Sequence, residues 1–201
     1  MIKVRKYIIL SILLIILTLP IFFGVYLEYF TIREINWFVI LIFLIGISIL
    51  LILGKIIEIY GYNDKIVEAI RKQDVINAFI NRNDRIIIWL FFPIIIIIEE
   101  LVFRYYNIGV LIHILEMESA VAIFISSLVF SSYHIHIWFR YKNLKILLIN
   151  LGYSFLIGLY NGYIFLQLGI IPCILIHYSI VLFLYYNIYR RYFKKKRIKN
   201  I

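Results

Sequence analysis

The sequence is short of charged residues, of cysteine and of proline. Only 16% of its 201 residues are charged and 64% are hydrophobic, whereas soluble domains have about 45–50% apolar residues. The mean hydropathy is +0.98, and this excludes a soluble globular domain. A membrane-spanning helix uses about 20 apolar residues, so the composition predicts an all-α, polytopic membrane helical bundle with about six transmembrane helices.

The single cysteine, Cys173, lies inside an apolar run. One cysteine cannot form an intrachain disulfide, and no paired-cysteine metal motif is present. The sequence therefore predicts neither a disulfide framework nor a zinc ribbon.

The net charge of +10 does not require a nucleic acid as partner. The basic residues flank the apolar runs, which is the pattern of the positive-inside rule. With the N-terminus inside, 19 of the 21 lysines and arginines fall on the inner side. We therefore expect a multi-pass protein of the cell membrane with both termini cytoplasmic, whose partners are membrane lipids and not nucleic acid.

The apolar runs divide the chain into four parts. We expect two N-terminal transmembrane helices in 1–60, a cytoplasmic amphipathic segment in 61–86, a four-helix core in 87–189 and a basic cytoplasmic tail in 190–201. The amphipathic segment is expected to lie on the inner leaflet, with Asn63 or Asp64 as its helix cap. The predicted spans are 7–26, 36–57, 87–112, 119–139, 144–166 and 168–189.

The third predicted span carries three charged residues, Glu99, Glu100 and Arg104. Each charge at the centre of a bilayer costs about 2.5–3.5 kcal/mol. Glu100 and Arg104 are four residues apart in the favourable orientation for a helical ion pair. Glu99 has no such partner, which makes it a candidate general base. The alternative is that both glutamates brace the bundle through hydrogen bonds.

Histidines and amides in the later spans complete the set of candidate residues. Ser127, Ser131 and His134 share one helical face, which we expect to point inward. His136 is interpreted as an interfacial residue, and His177 is either a buried core histidine or a catalytic one. In the fifth span, Ser154, Gly158 and Gly162 are expected to serve close helix packing, whereas the roles of Asn150 and Asn161 stay open.

Three ordered motifs in these spans resemble those of a known family. They are Glu99-Glu100-Leu101-Val102-Phe103-Arg104 (EExxxR), Phe130-Ser131-Ser132-Tyr133-His134 (FxxxH), and His177 in the last core helix. Together they resemble the CPBP family (CAAX protease and bacteriocin-processing, also called Abi) of intramembrane proteases, over roughly residues 87–187.

The resemblance implies a role for each matching residue. Glu99 and His134 would activate a water molecule, and His177 would stabilise the oxyanion. The supporting residues would be Glu100, Arg104 and Phe130. The sequence departs from the family where the motif HxxxN requires asparagine, because Val181 stands there, and Asn150 or Asn161 is the candidate substitute.

The predicted activity is hydrolysis of a peptide bond in a membrane-associated or lipid-modified peptide. No cofactor is predicted; zinc is the less favoured alternative, since glutamate and histidine can bind it. Other classes of intramembrane protease are excluded. The sequence has no HExxH motif for a zinc enzyme, no GxSG motif for a serine enzyme and no aspartate within a predicted span for an aspartyl dyad. Two further hypotheses remain: a non-catalytic relative acting as a bacteriocin self-immunity or membrane scaffold protein, and a transporter with an intramembrane proton path.

Overall fold

A computed structural model describes residues 2–32, 35–71, 74–80 and 85–199, and these residues fold into helices without any strand. The all-α prediction is confirmed. A 3-10 helix, Leu27–Phe30, follows the first helix. The α-helices in this part of the chain are α1 Ile2–Phe22, α2 Trp37–Ile56, α3 Asp64–Arg71, α4 Asp74–Ile80, α5 Phe92–Glu100, α6 Gly109–His113, α7 Ser119–Tyr133, α8 His136–Tyr141, α9 Leu144–Leu168 and α10 Ile170–Lys199.

Five helical stretches among the described residues are long and apolar enough to cross a membrane. They coincide with five of the six predicted spans, so the chain is a polytopic membrane bundle. These stretches are Arg5–Phe22, Trp37–Gly61, Ser119–Tyr141, Leu144–Leu168 and Ile170–Arg191.

The predicted third span is one helical run over residues 87–113, which we call the central helix. Two π-helical stretches, Ile87–Phe91 and Leu101–Ile108, alternate in it with α5 and α6. π-helical turns are rare and are frequently found at functional sites. The longer one begins directly after Glu99 and Glu100, so the regular helix changes its winding at the charged motif.

The amphipathic segment packs against the bundle. The buried residues Ile66, Val67 and Ile70 of α3 lie in one cluster with Ile146 and Ile188, so this apolar face points to the bundle and not to the inner leaflet. Asn63 Oδ1 accepts a hydrogen bond from Ile66 N at 3.0 Å, which identifies Asn63 as the helix cap. Parts of the segment, residues 72–73 and 81–84, lie outside the described residues.

Helices α7 and α9 approach each other through small residues, as the sequence predicted. A Cβ atom added to Gly158 would lie 2.9 Å from Ser127 Cβ, and one added to Gly162 would lie 2.8 Å from Ile123 Cγ2. Small residues at such positions let the two backbones come close. The turn into α10 uses Gly169 at φ +84°, where a Cβ would collide with Tyr29 O.

Tyrosine hydroxyls attach the two N-terminal spans to the rest of the bundle. Each donates to a main-chain carbonyl of α1, α2 or the loop between them, and Gly46 and Gly54 of α2 make room for two of the tyrosine rings. The hydrogen bonds run from Tyr106 to Leu17 O, from Tyr105 to Val25 O (2.6 Å), from Tyr160 to Phe43 O (2.8 Å) and from Tyr153 to Leu50 O (2.9 Å).

Candidate active site

The three residues predicted to be catalytic line a single cavity of about 460 Å³. Glu99 comes from the end of α5, His134 from the end of α7 and His177 from the second turn of α10. Their positions in the chain are far apart, and it is the packing of these helices that brings them together. The cavity also reaches Lys6 of α1 and Asp74 of α4.

Glu99 and Glu100 face different surroundings. The side chain of Glu99 is 14% exposed and borders the cavity, whereas that of Glu100 is 0% exposed. Consecutive residues on a helix point about 100° apart, so the Glu-Glu pair places one carboxylate on the cavity and the other in the bundle interior.

Glu100 is the centre of a buried polar cluster. Its Oε2 lies 3.3 Å from Arg104 Nε and accepts a hydrogen bond from Cys173 Sγ at 2.8 Å. Its Oε1 accepts from His177 Nδ1 at 2.5 Å and from Asn161 Nδ2 at 3.3 Å. The predicted ion pair of Glu100 with Arg104 is confirmed. A buried carboxylate needs such donors, because an unpaired charge in the bundle interior is costly.

The hydrogen bond between His177 and Glu100 determines how the His177 ring is oriented toward the cavity. A carboxylate can only accept, so the bond to Glu100 assigns a proton to His177 Nδ1. Its Nε2 then points away from Glu100 and lies 3.9 Å from Glu99 Oε2. The His177 ring therefore lies between the buried Glu100 carboxylate and the Glu99 carboxylate that borders the cavity.

His134 is oriented in the same way by a backbone carbonyl. Its Nδ1 lies 2.9 Å from Phe130 O, and a carbonyl also only accepts, so Nδ1 carries the proton. Nε2 is then the basic nitrogen of the ring. The Phe130 ring stands edge-on to His134 and His177, with centroids 4.9 and 5.6 Å away, and the Arg104 guanidinium lies 4.1 Å from its centroid.

The two candidate substitutes for the family asparagine have different locations. Asn150 lines the cavity, and its Nδ2 donates to Ile146 O at 2.8 Å. Asn161 is fully buried and belongs to the Glu100 cluster. Val181 lines the cavity one turn after His177, and its side chain has no hydrogen-bond donor.

Ser127 and Ser131 point into the bundle, as the sequence predicted. The two serines are buried and their hydroxyls donate to main-chain carbonyls, Ser131 doing so across to Leu151 O of α9 at 2.7 Å. His136 is exposed and borders the outer part of the cavity.

In the described part of the chain, no group of three or more His, Cys, Asp or Glu residues could hold a metal ion.

Cys173 is a site residue that the sequence analysis missed. It is fully buried, and its thiol donates to Glu100. One signal could have pointed to it, because Cys173 lies four residues before His177 and residues at that spacing share a helix face.

These features define a class of protein: a helical membrane bundle in which carboxylate and imidazole groups from separate helices surround one cavity, as in an intramembrane protease. A family model described as Rce1-like, type II CAAX prenyl endopeptidase, matches residues 81–183. The chain belongs to this Rce1-like family. The matched range contains all three motifs, so the resemblance stated from the sequence is confirmed. No curated protein and no solved structure matches the chain.

Proposed function

We propose that this protein is an intramembrane endopeptidase that hydrolyses a peptide bond of a membrane-associated or lipid-modified peptide. The observation that carries the proposal is that Glu99, His134 and His177 line one cavity. A peptidase needs an activated water and a preorganised donor for the oxyanion, and these three side chains are suited to supply both.

In the proposed mechanism, Glu99 and His134 act on one water molecule. The water oxygen attacks the carbonyl carbon of the substrate, and its proton moves to the Glu99 carboxylate or to His134 Nε2. The tetrahedral intermediate then collapses as the carbon–nitrogen bond breaks, and the departing nitrogen takes up that proton. General acid–base catalysis of this kind contributes about 10²–10⁴-fold to the rate.

His177 would stabilise the negative oxygen of the tetrahedral intermediate. Because its Nδ1 proton is committed to Glu100, a second proton on Nε2 makes the ring a cationic donor toward the cavity. Glu100 supplies the opposite charge, and Arg104, Cys173 and Asn161 hold Glu100 in place. A donor fixed before the reaction begins needs no reorganisation when charge develops. No step in this mechanism requires a metal ion.

We further propose that the cavity opens toward the cytoplasm. It reaches Lys6, whose side chain is 52% exposed and forms an ion pair with Asp74. With the N-terminus inside, as the distribution of basic residues predicts, this end of the cavity faces the cytoplasm. The core 87–189 would then carry the reaction, while membrane lipids would contact the basic tail 190–201, whose side chains beyond Arg191 lie outside the described residues.

The test uses the full-length protein in proteoliposomes, incubated with a prenylated C-terminal peptide and with the same peptide lacking the lipid. Mass spectrometry should find a new terminus with the wild type and none with Glu99→Gln or His134→Ala. His136→Ala is the matched control, because it removes a histidine two residues away and should leave cleavage intact. A chelator should also leave cleavage intact, whereas loss of product on chelation would contradict the metal-free mechanism.

A non-catalytic role is the second candidate function, and Val181 in place of the family asparagine favours it. As a bacteriocin self-immunity or scaffold protein, the chain would bind its partner without cleaving it. Under that function, no peptide is cut, and the wild type, Glu99→Gln and His134→Ala protect cells against a bacteriocin equally. Unequal protection would instead support the protease.

A further inference from the structure

The proposed mechanism leaves one donor position without a residue. The family motif supplies an asparagine one helical turn after the last histidine, but Val181 stands there and lines the cavity. His177 alone would then face the oxyanion from α10. If two hydrogen-bond donors stabilise the oxyanion, the cavity wall must supply the second one.

Most uncharged polar side chains that line the cavity already have partners. The Tyr133 and Tyr185 hydroxyls are among the exceptions, since neither has a hydrogen bond within the residues that the structure describes. The engaged groups are Tyr153 with Leu50 O, Ser154 with Asn150 O, and Asn150 with Ile146 O.

Tyr185 lies on the same face of α10 as His177 and Val181. The three residues follow one another at intervals of four, and all three line the cavity. Side chains on a helix tilt toward its N-terminus, and four residues span about 6 Å along the axis. This tilt brings the Tyr185 hydroxyl closer to the level of Val181 than the Tyr185 Cα atom is, on the face that lines the cavity.

The surroundings of Tyr185 suit a positioned donor. Its ring stands edge-on to Phe92 of α5, with centroids 5.9 Å apart. It is only partly exposed, and it is close enough to Glu99 for an electrostatic interaction between the two side chains. Tyr133 also interacts with Glu99, but it sits on α7 and is 48% exposed.

We propose that the Tyr185 hydroxyl donates the second hydrogen bond to the oxyanion and so replaces the asparagine that the family has at the position of Val181. This assignment rests on the proposed function. It adds a catalytic residue to Glu99, His134 and His177, and it explains how a chain with valine at 181 can retain the reaction.

The experiment compares Tyr185→Phe with the wild type on the peptide that the wild type cleaves. Phenylalanine keeps the ring against Phe92 and removes only the hydroxyl, so kcat should fall by about 10²-fold with KM unchanged, as for the loss of one oxyanion donor. Tyr133→Phe and Asn150→Ala should keep the wild-type kcat. Adding Val181→Asn to Tyr185→Phe should recover part of the lost rate, because the amide then stands at the same level of the helix.

Two results would overturn the assignment. One is a wild-type kcat for Tyr185→Phe while Glu99→Gln is inactive; this leaves the protease function standing. The other is a loss of kcat in Tyr133→Phe or Asn150→Ala that Tyr185→Phe does not show. If the wild type cleaves none of the peptides, the proposed function fails and the assignment fails with it.

Discussion

The Glu100 cluster and the cavity at Glu99 occupy adjacent regions of the bundle and are built in different ways. Glu100, Arg104 and Asn161 are at most 1% exposed, and every oxygen of the Glu100 carboxylate has donors. Glu99 is partly exposed, and its nearest charged partner, His177 Nε2, is 3.9 Å away. Two consecutive glutamates thus have different surroundings, because the helix turns the Glu100 side chain into the bundle interior and the Glu99 side chain toward the cavity.

The stability of the two regions should differ accordingly. Breaking a buried ion pair by removing one partner costs about 3–5 kcal/mol, because the remaining charge is left without compensation. A carboxylate beside a cavity loses less when it is neutralised, since it gives up no close partner. We therefore expect substitutions in the Glu100 cluster to lower the free energy of unfolding, and conservative substitutions at Glu99 to leave it nearly unchanged.

The largest effect on stability is expected for Glu100→Ala. The free energy of unfolding should fall by about 3–5 kcal/mol, since Arg104 then remains as a buried charge without its carboxylate. The double variant Glu100→Ala with Arg104→Met should be more stable than the single variant, because the orphaned charge is removed as well. Denaturant titration in detergent measures both. A Glu100→Ala protein as stable as the wild type would contradict the expected difference between the two regions, and so would a Glu99→Gln protein that loses as much stability as Glu100→Ala.

A smaller effect is expected for Cys173→Ala. The thiol donates one hydrogen bond to the Glu100 carboxylate, and its loss should lower the free energy of unfolding by about 1–2 kcal/mol. Cys173→Ser, which retains a donor at this position, should lose less. Equal losses in the alanine and serine variants would show that the thiol contributes by its volume and not by its hydrogen bond. The same denaturant titration gives the answer.

The smallest effect is expected at the exposed end of the cavity. Lys6 and Asp74 form an ion pair at 3.2 Å, with side chains 52% and 32% exposed, and such pairs contribute about 0–1 kcal/mol. Lys6→Ala should change the free energy of unfolding by no more than this, and Asp74→Ala should behave in the same way. A larger loss in either variant would show that the contact of α1 with α4 carries more stability than an exposed pair can supply.

Much of the fold could be predicted from the sequence because the membrane imposes long apolar helices. The predicted second span, 36–57, corresponds to α2 at Trp37–Ile56, and the fifth, 144–166, to α9 at Leu144–Leu168. The Glu100–Arg104 pair and the Asn63 cap were also accessible, since both depend on residues close together in the chain.

Other features of the structure depend on contacts that no local pattern encodes. The apolar face of α3 was expected to contact lipid, but it packs against Ile146 of α9 and Ile188 of α10. Only tertiary packing decides between lipid and protein as the partner of this face. The π-helical stretch Leu101–Ile108 has no sequence signal of its own. The thiol of Cys173 could not be assigned to Glu100, because its partner lies on another helix 73 residues away.

The tyrosine hydroxyls that attach the N-terminal spans have a consequence for how this protein can evolve. Their acceptors on α1 and α2 are main-chain carbonyls, which every amino acid possesses. At those contacts, α2 needs a small residue at 46 and 54, whereas its packing in the core depends on the apolar side chains of Phe43, Ile47 and Leu50. The family match begins at residue 81, after both helices. Substitutions that keep the two outer helices apolar and helical therefore leave the acceptors of these tyrosine hydroxyls in place.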